Sequence, residues 1–337
     1  MFNWSECVSM IEQSETIAVL PHLSADGDAL GSAFSLALAL TAVGKEVAVL
    51  LEEPPEKRLE FLLPDFGPDI YMGPVKCWST YDLAIAVDCA DRQRLGNRAE
   101  TFFSAGRSVK IDHHIEKDPF GQLNFVSSGW AANCEGIWEL LCSEPFTLRK
   151  KLQEGIRGED RLLTHMAVCL YCGIASDTGS FAYSNTTEST HQIAGMLVDF
   201  LKDVSDLHFR LFDGSTKAAI AMKAIAYQKI QYKMDGRVAL LELTKEDFTA
   251  SGAVYDDTNE LVSVLRGIEG VELAVFARPH RSGRGLKISL RSNRECDVAV
   301  LAAKFGGGGH KRAAGFDFDG DFTQAVEELL KDVEAGV

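Results

Sequence analysis

Four short apolar runs read as buried strands, with stretches of helical periodicity between them: Thr16-Ile-Ala-Val-Leu-Pro, Glu46-Val-Ala-Val-Leu-Leu, Asp82-Leu-Ala-Ile-Ala-Val and Ser108-Val-Lys-Ile. Near-continuous apolar runs are what strands covered on both faces look like. Their alternation with helices predicts an α/β fold with a doubly wound, mostly parallel sheet. The residues just past these runs constrain function. His22-x-x-x-Asp26-x-Asp28 comes after the first, Val87-Asp88-Cys89 ends the third, and Asp112-His113-His114 ends the fourth. A further patch, Ser176-Asp177-Thr178, ends an apolar helical stretch. Active-site loops of an open α/β sheet lie at the carboxyl ends of its strands. Carboxylates and imidazoles gathered there, with no thiolate pattern beside them, suit divalent metals that carry out hydrolysis. The pattern predicts a two-metal phosphoesterase.

The periodicity places further helices over residues 1–14, 29–43 (closed by Gly44), after Pro54-Pro55, and over 132–141, 162–173 and 189–201. A helical stretch without a motif spans 215–232. Beyond it, strands are expected at 237–243, 271–277 and 286–290, with helical segments near 260–266 and 297–304. The expected division is a catalytic, metal-binding domain over 1–214, a helical connector over 215–233, and a smaller α/β domain over 234–337.

Composition excludes several alternatives. No run approaches the roughly 20 apolar residues of a membrane span; the longest uncharged one, between Asp28 and Lys45, is broken by Gly31, Ser32, Ser35 and Thr41. The amino terminus lacks a basic segment followed by an apolar one, so a cytoplasmic protein is expected. The eight cysteines are scattered, which favours reduced thiols, and Cys169-x-x-Cys172 is one face of an apolar helix. A net charge of −15 opposes binding to long nucleic acid. Residues 278–312 nevertheless carry nine Lys or Arg against two acids, a basic island suited to a short anionic ligand.

Two cations roughly 3.5–4 Å apart can clamp a phosphate and share an activated water. Such a pair needs one carboxylate that bridges and further ligands on each side. Asp26 and Asp28, two apart, can face different metals, and Asp88 at a strand end is the natural bridge. Each residue alone has an ordinary structural use: Asp before a helix is an N-cap, and Asp-Gly-Asp is common in turns. Four such clusters at active-site loops make the structural reading poor.

These segments resemble the four motifs of the DHH phosphoesterases: His22-x-x-x-Asp26-Gly27-Asp28-Ala29-x-Gly31, Val87-Asp88, Asp112-His113-His114 and Ser176-Asp177-Thr178-Gly179. The run Phe305-Gly306-Gly307-Gly308-Gly309-His310-Lys311-Arg312-Ala313-Ala314-Gly315 resembles the glycine-rich signature of the associated DHHA1 domain. The resemblance implies one metal on His22, Asp26 and Asp88, and another on Asp28, Asp88, His113 and Asp177. Asp112 would orient ligands, and His114 would contact the substrate phosphate and assist the leaving oxygen. Gly306, Gly307, Gly308, Gly309 and His310 would hold the phosphate end of a short nucleotide, with Arg291 and Asn293 reading phosphate or base. Arg266, Arg278, Arg281 and Arg284 would widen the basic face or be solvated, the last two being expected in solvent.

The implied cofactors are two divalent cations, Mn²⁺ first, with Mg²⁺ or Co²⁺ as alternatives. The implied substrates are short RNA oligonucleotides and 3′-phosphoadenosine 5′-phosphate (pAp), as for the nanoRNase members, with no long nucleic acid and no membrane; a homodimer is left open. A stand-alone cyclic di-AMP phosphodiesterase is the nearest alternative. A non-catalytic nucleotide sensor is the alternative of another class.

Overall fold

The computed structural model describes residues 2–73, 80–115, 118–154, 160–293 and 296–334. It contains two compact units, Met1–Gly214 and Ser215–Val337. In the first, strands β1 (Thr16–Pro21), β2 (Glu46–Leu51), β3 (Asp69–Met72), β4 (Leu83–Val87), β5 (Arg107–Asp112) and β6 (Leu123–Val126) form one parallel sheet in the order β3-β2-β1-β4-β5-β6.

Alternation along each strand builds two cores. Ile17 and Val19 of β1 join Val47, Val49, Leu83 and Ile85 beneath the helix Gly27–Ala42, whereas Ala18 and Leu20 join Ala48, Leu50, Ala84 and Phe102 on the opposite face. The sheet is thus doubly wound, and each fully buried Leu, Val or Phe contributes about 1.5–3 kcal/mol of hydrophobic stabilisation. Chain order reverses between β1 and β4. That topological switch point opens a crevice beyond the carboxyl ends of the two strands.

Four expected strands correspond to β1, β2, β4 and β5. β3 and β6 were not expected. Both are four-residue edge strands with only partial burial, so neither carries a long apolar run. The helix expected after Pro54-Pro55 is only a 3₁₀ segment, Lys57–Leu62.

The second unit holds β7 (Gln231–Lys233), β8 (Val238–Glu242), β9 (Leu273–Pro279), β10 (Leu286–Ser292), β11 (Gly308–His310) and β12 (Ala313–Phe318). Their order is β11-β12-β10-β9-β8-β7, with β8 and β9 parallel and the other pairs antiparallel. Helices Val298–Lys304 and Phe322–Glu334 accompany this sheet. The segment expected as a connector forms the helix Lys217–Lys229, whose Met222 and Ala226 are buried in the second unit's core. The seven described cysteines are free thiols, and no described helix is long and apolar enough to cross a membrane.

Candidate metal centre

Register explains why three motifs meet. Pro21 of β1 pairs with Val87 of β4, and Val87 pairs with Ile111 of β5. His22, Asp88 and Asp112 are therefore the next residues along three adjacent strands. Asp88 leaves the sheet with φ 55°, a left-handed turn that Asp tolerates better than most residues. Its N–H still donates to the Ile111 carbonyl at 3.0 Å.

Asp26 caps the helix Gly27–Ala42, accepting from the N–H groups of Asp28 and Ala29 at 3.1 Å each. Two residues past the cap, within the first turn, Asp28 is fully buried. Its Oδ2 accepts from Asn133 N at 2.5 Å and its Oδ1 from Cys134 N at 2.9 Å. The helix Arg161–Asp177 delivers Asp177 from its last residue. Gly27 permits this: a Cβ there would lie 2.1 Å from Ser176 Oγ. A Cβ on Gly173 would come within 2.9 Å of Asp28 Oδ1. The glycines let two helix ends approach until Asp28 and Asp177 face one site.

Asp88 divides its oxygens. Oδ2 lies 3.5 Å from His22 Nε2, while Oδ1 lies 3.4 Å from His113 Nε2 and 3.6 Å from His114 Nδ1. His113 Nε2 is 3.2 Å from Asp177 Oδ2 and 3.9 Å from Asp28 Oδ2. His22 Nε2 is 3.7 Å from Asp26 Oδ2. Donor atoms of His22, Asp26 and Asp88 lie within 4.8 Å of one another, as do those of Asp28, His113 and Asp177, and those of Asp88, His113 and His114. His22 Nδ1 faces the Leu23 carbonyl at 2.5 Å. That contact places the ring proton on Nδ1 and turns the Nε2 lone pair toward Asp26 and Asp88. Asp112 Oδ1 lies 2.8 Å from His114 Nδ1 and orients that ring.

The electrostatics mark a site short of positive charge. Burial, with the Asp88 charge behind it, lifts the Asp28 carboxyl to about 7. Burial followed by Asp28 and Asp88 lifts Asp177 to about 9. Burial opposes charge on His113, yet its contact with Asp88 and the nearby carboxylates carry it to about 10. His22 is raised in the same way, against burial, by Asp26 and Asp88. Against burial, the His22 contact holds Asp26 down at about 2, and the His114 contact does the same for Asp112. Protons are thus retained where cations would remove the repulsion. Asp88 Oδ1 is buried and makes no hydrogen bond. An orphaned carboxylate oxygen between imidazole nitrogens fits a cation, and the oxygen-and-imidazole donor set fits Mn²⁺ or Mg²⁺.

The motifs did not reveal the supporting groups. Asn185 Nδ2 donates to the carbonyls of Ala131 (2.9 Å) and Asp177 (3.1 Å), tying the loop before Asn133 to the helix end. Asn133 Nδ2 donates to Ser32 Oγ at 2.9 Å. Lys110 is a charged residue flanked by Val109 and Ile111 within a buried strand, a signal legible in the sequence.

In the second unit the glycine run is an edge strand and its approach, not a free loop. Gly308–His310 pairs with β12. Gly306 adopts φ +74° and Gly309 φ +147°, and a Cβ on Gly307 would lie 2.3 Å from the Gly315 carbonyl oxygen. Gly308 has open space where a Cβ would stand. The His310 side chain lies outside what the structure describes. Arg291 Nη1 donates to the Leu290 carbonyl at 3.0 Å, and burial, then Arg266, lowers its pKa. Asn293 Nδ2 donates to the carbonyls of Arg266 (2.6 Å) and Val271 (2.9 Å), so its amide N–H groups secure the chain locally. Arg278 is buried against Tyr255, 3.6 Å from the ring centroid, and bonded to Thr258 and Asn259. It is a structural residue, not part of an open basic face. Arg281 pairs with Asp256.

Residues 16–174 match the DHH family, N-terminal domain, and residues 237–337 match the DHHA1 domain. The chain is 28% identical over 313 residues to the bifunctional oligoribonuclease and PAP phosphatase NrnA of Bacillus subtilis, covering 92% of each chain. It is 29% identical to the enzyme of the same name from Thermus thermophilus, covering 94% of this chain and 89% of the relative. The cyclic-di-AMP phosphodiesterase PdeA of Listeria monocytogenes is 24% identical, matching 97% of this chain but 48% of its own length. The crystal structure of an exopolyphosphatase-related protein from Bacteroides fragilis shares the fold, with TM-score 0.84, 23% identity and coverage of 98% and 95%. On the strength of both matched domains, the chain belongs to the DHH–DHHA1 family of phosphoesterases.

Proposed function

We propose that this protein hydrolyses short oligoribonucleotides to mononucleotides and removes the 3′-phosphate of pAp to give AMP. The observation that carries the reading is the division of Asp88, whose Oδ2 faces His22 and whose Oδ1 faces His113. His22, Asp26 and Asp88 would hold one divalent cation; Asp28, Asp88, His113 and Asp177 would hold a second, with Mn²⁺ the favoured ion. Such cations, when bound, polarise phosphoryl oxygens and lower the pKa of a water nucleophile.

The chain's own groups do the rest. The His114 side chain is one-third exposed and oriented by Asp112, which suits it to meet a substrate phosphate and to donate a proton to the leaving oxygen. At Gly308 the open backbone suits close approach of an anion, and His310 and Arg291 would add charge there. Names and lengths of the Bacillus and Thermus relatives support the substrate class.

The similarity to PdeA supports a second reading, hydrolysis of cyclic di-AMP. One Mn²⁺ panel separates them: di-, penta- and long RNA, pAp and cyclic di-AMP, with products resolved by chromatography. The proposal expects mononucleotides from the short RNAs and AMP from pAp. Cleavage of cyclic di-AMP alone would install the second reading. Binding of nucleotides without any turnover would install a non-catalytic sensor.

A further inference from the structure

Lys110 sits on β5 with no surface exposed to solvent. Its Nζ donates to the Ala90 carbonyl at 2.9 Å and the Asp118 carbonyl at 3.3 Å, and stands 3.3 Å from Asp112 Oδ2. The Phe120 ring centroid lies 5.0 Å away. Ala90 is two residues past Asp88. Asp112 Oδ1 accepts from the N–H groups of His113 (2.9 Å) and His114 (3.3 Å), and the oxygen facing Lys110 makes no hydrogen bond. One ammonium thus touches the segment carrying Asp88, the carboxylate that fixes the backbone of His113 and His114, and the chain at Asp118.

Burying an ammonium is costly, and an apolar side chain of similar length would fill the space without that cost. The lysine is better explained by what its charge reaches. Carbonyls beyond the last rung of adjacent parallel strands lack ladder partners, and a point charge with three donors can gather them.

We infer that Lys110 is a positioning residue. It clamps the exits of β4 and β5 together, so that Asp88 and His113 keep the separation needed to share a cation, and it anchors Asp112 beneath His114. The inference rests on the proposed metal site and not on the substrate assignment.

The test is calorimetric titration of the metal-stripped, full-length chain with Mn²⁺, which needs no substrate. Lys110→Met should lower Mn²⁺ affinity roughly 10–100-fold, the usual range for groups that support metal ligands. Lys110→Met strands Asp112 without its ion-pair partner and can fail to fold. The comparison is therefore repeated between Asp112→Asn and the double variant Lys110→Met/Asp112→Asn. Loss of the ammonium from that background should cost a further ~10-fold in Mn²⁺ affinity. In the same pair, kcat with Mn²⁺ should fall while KM stays within about threefold, since misplaced groups slow the reacting step. A purely structural lysine would lower only the unfolding midpoint. Equal Mn²⁺ affinities for Asp112→Asn and the double variant, with both folded by circular dichroism, would overturn the proposal. Failure of the wild-type chain to cleave RNA would overturn the substrate reading and leave this one standing.

Discussion

Asp28 closes the amino terminus of a helix that begins 105 residues later, accepting the Asn133 N–H on Oδ2 at 2.5 Å. The N-cap position of that helix, Ala132, has no side chain able to do so. Asp28 therefore has one duty toward the fold and, under the proposed function, a second toward the metal site. Asp88 Oδ1 has no hydrogen bond and only the second duty.

This difference separates two alanine variants in metal-free protein. Asp28→Ala strands two buried N–H groups and should cost about 1–3 kcal/mol, the penalty for unpaired buried donors. Asp88→Ala strands no buried donor; it loses attraction to His22 and His113 along with repulsion from Asp28 and sets Ala at φ 55°, so it should cost no more than about 1 kcal/mol. Both should lose turnover by at least about 10²–10³-fold, as when a group that stabilises developing charge is removed. Urea unfolding and a Mn²⁺-dependent phosphatase assay on the same samples give both quantities. Wild-type turnover in Asp88→Ala would refute its bridging role.

Metal-free stability should fall as pH rises. Asp28 and Asp177 titrate near 4 in an unfolded chain, but at about 7 and about 9 when folded. His113 is likewise raised to about 10. Between roughly pH 4 and pH 10 the native state binds more protons than the unfolded state, so stability declines across that window. Asp26 and Asp112, lowered to about 2, add stability that is lost as pH falls from about 4 toward 2. The midpoint of thermal unfolding without metal should drop from pH 5.5 to pH 8.5, and Mn²⁺ should raise it more at pH 8.5. A flat profile in scanning fluorimetry would contradict the proton-rich site.

Helix contact predicts opposite signs for two Gly→Ala changes. A Cβ at Gly27 would strike Ser176 Oγ at 2.1 Å, so Gly27→Ala should destabilise by about 1–3 kcal/mol and reduce activity, because overpacking shifts backbone. Gly195, exposed in the helix Glu188–Val198, has nothing within 4 Å of its virtual Cβ. Gly195→Ala should stabilise by about 0.5–1 kcal/mol. Denaturant midpoints decide both.

The glycine run also divides. Gly307→Ala meets the Gly315 carbonyl oxygen at 2.3 Å and should disrupt β11. Gly308→Ala meets nothing in the chain, so stability should change by less than about 0.5 kcal/mol. If the open backbone at Gly308 receives the substrate's anionic end, KM for pAp should rise about tenfold, equivalent to losing roughly 1.4 kcal/mol of binding. An unchanged KM would remove Gly308 from the substrate contacts.

Legibility of the fold tracked burial. β1, β2, β4 and β5 are covered on both faces and read directly as apolar runs. β3 and β6, at the edges, keep polar positions and left no such trace. Part of the candidate site was legible because strands place their successors predictably: one residue past the rung Pro21–Val87–Ile111 stand His22, Asp88 and Asp112. Asn293 shows the reverse case. It was expected to meet substrate, but whether its amide turns outward or, as here, bonds to Arg266 and Val271 depends on chain brought near by folding.

Local order along the chain determined which residues would gather: apolar period sets the strands, and the residues next after each strand land at the crevice. Only the packed molecule decided what those residues experience. The link from Asp28 to Asn133, the approach of Gly27 to Ser176, and the burial of Lys110 beneath Asp112 depend on the packed arrangement of the elements that carry them. Electrostatic shifts depend on distance and desolvation between such elements, and neither exists until the tertiary structure has formed.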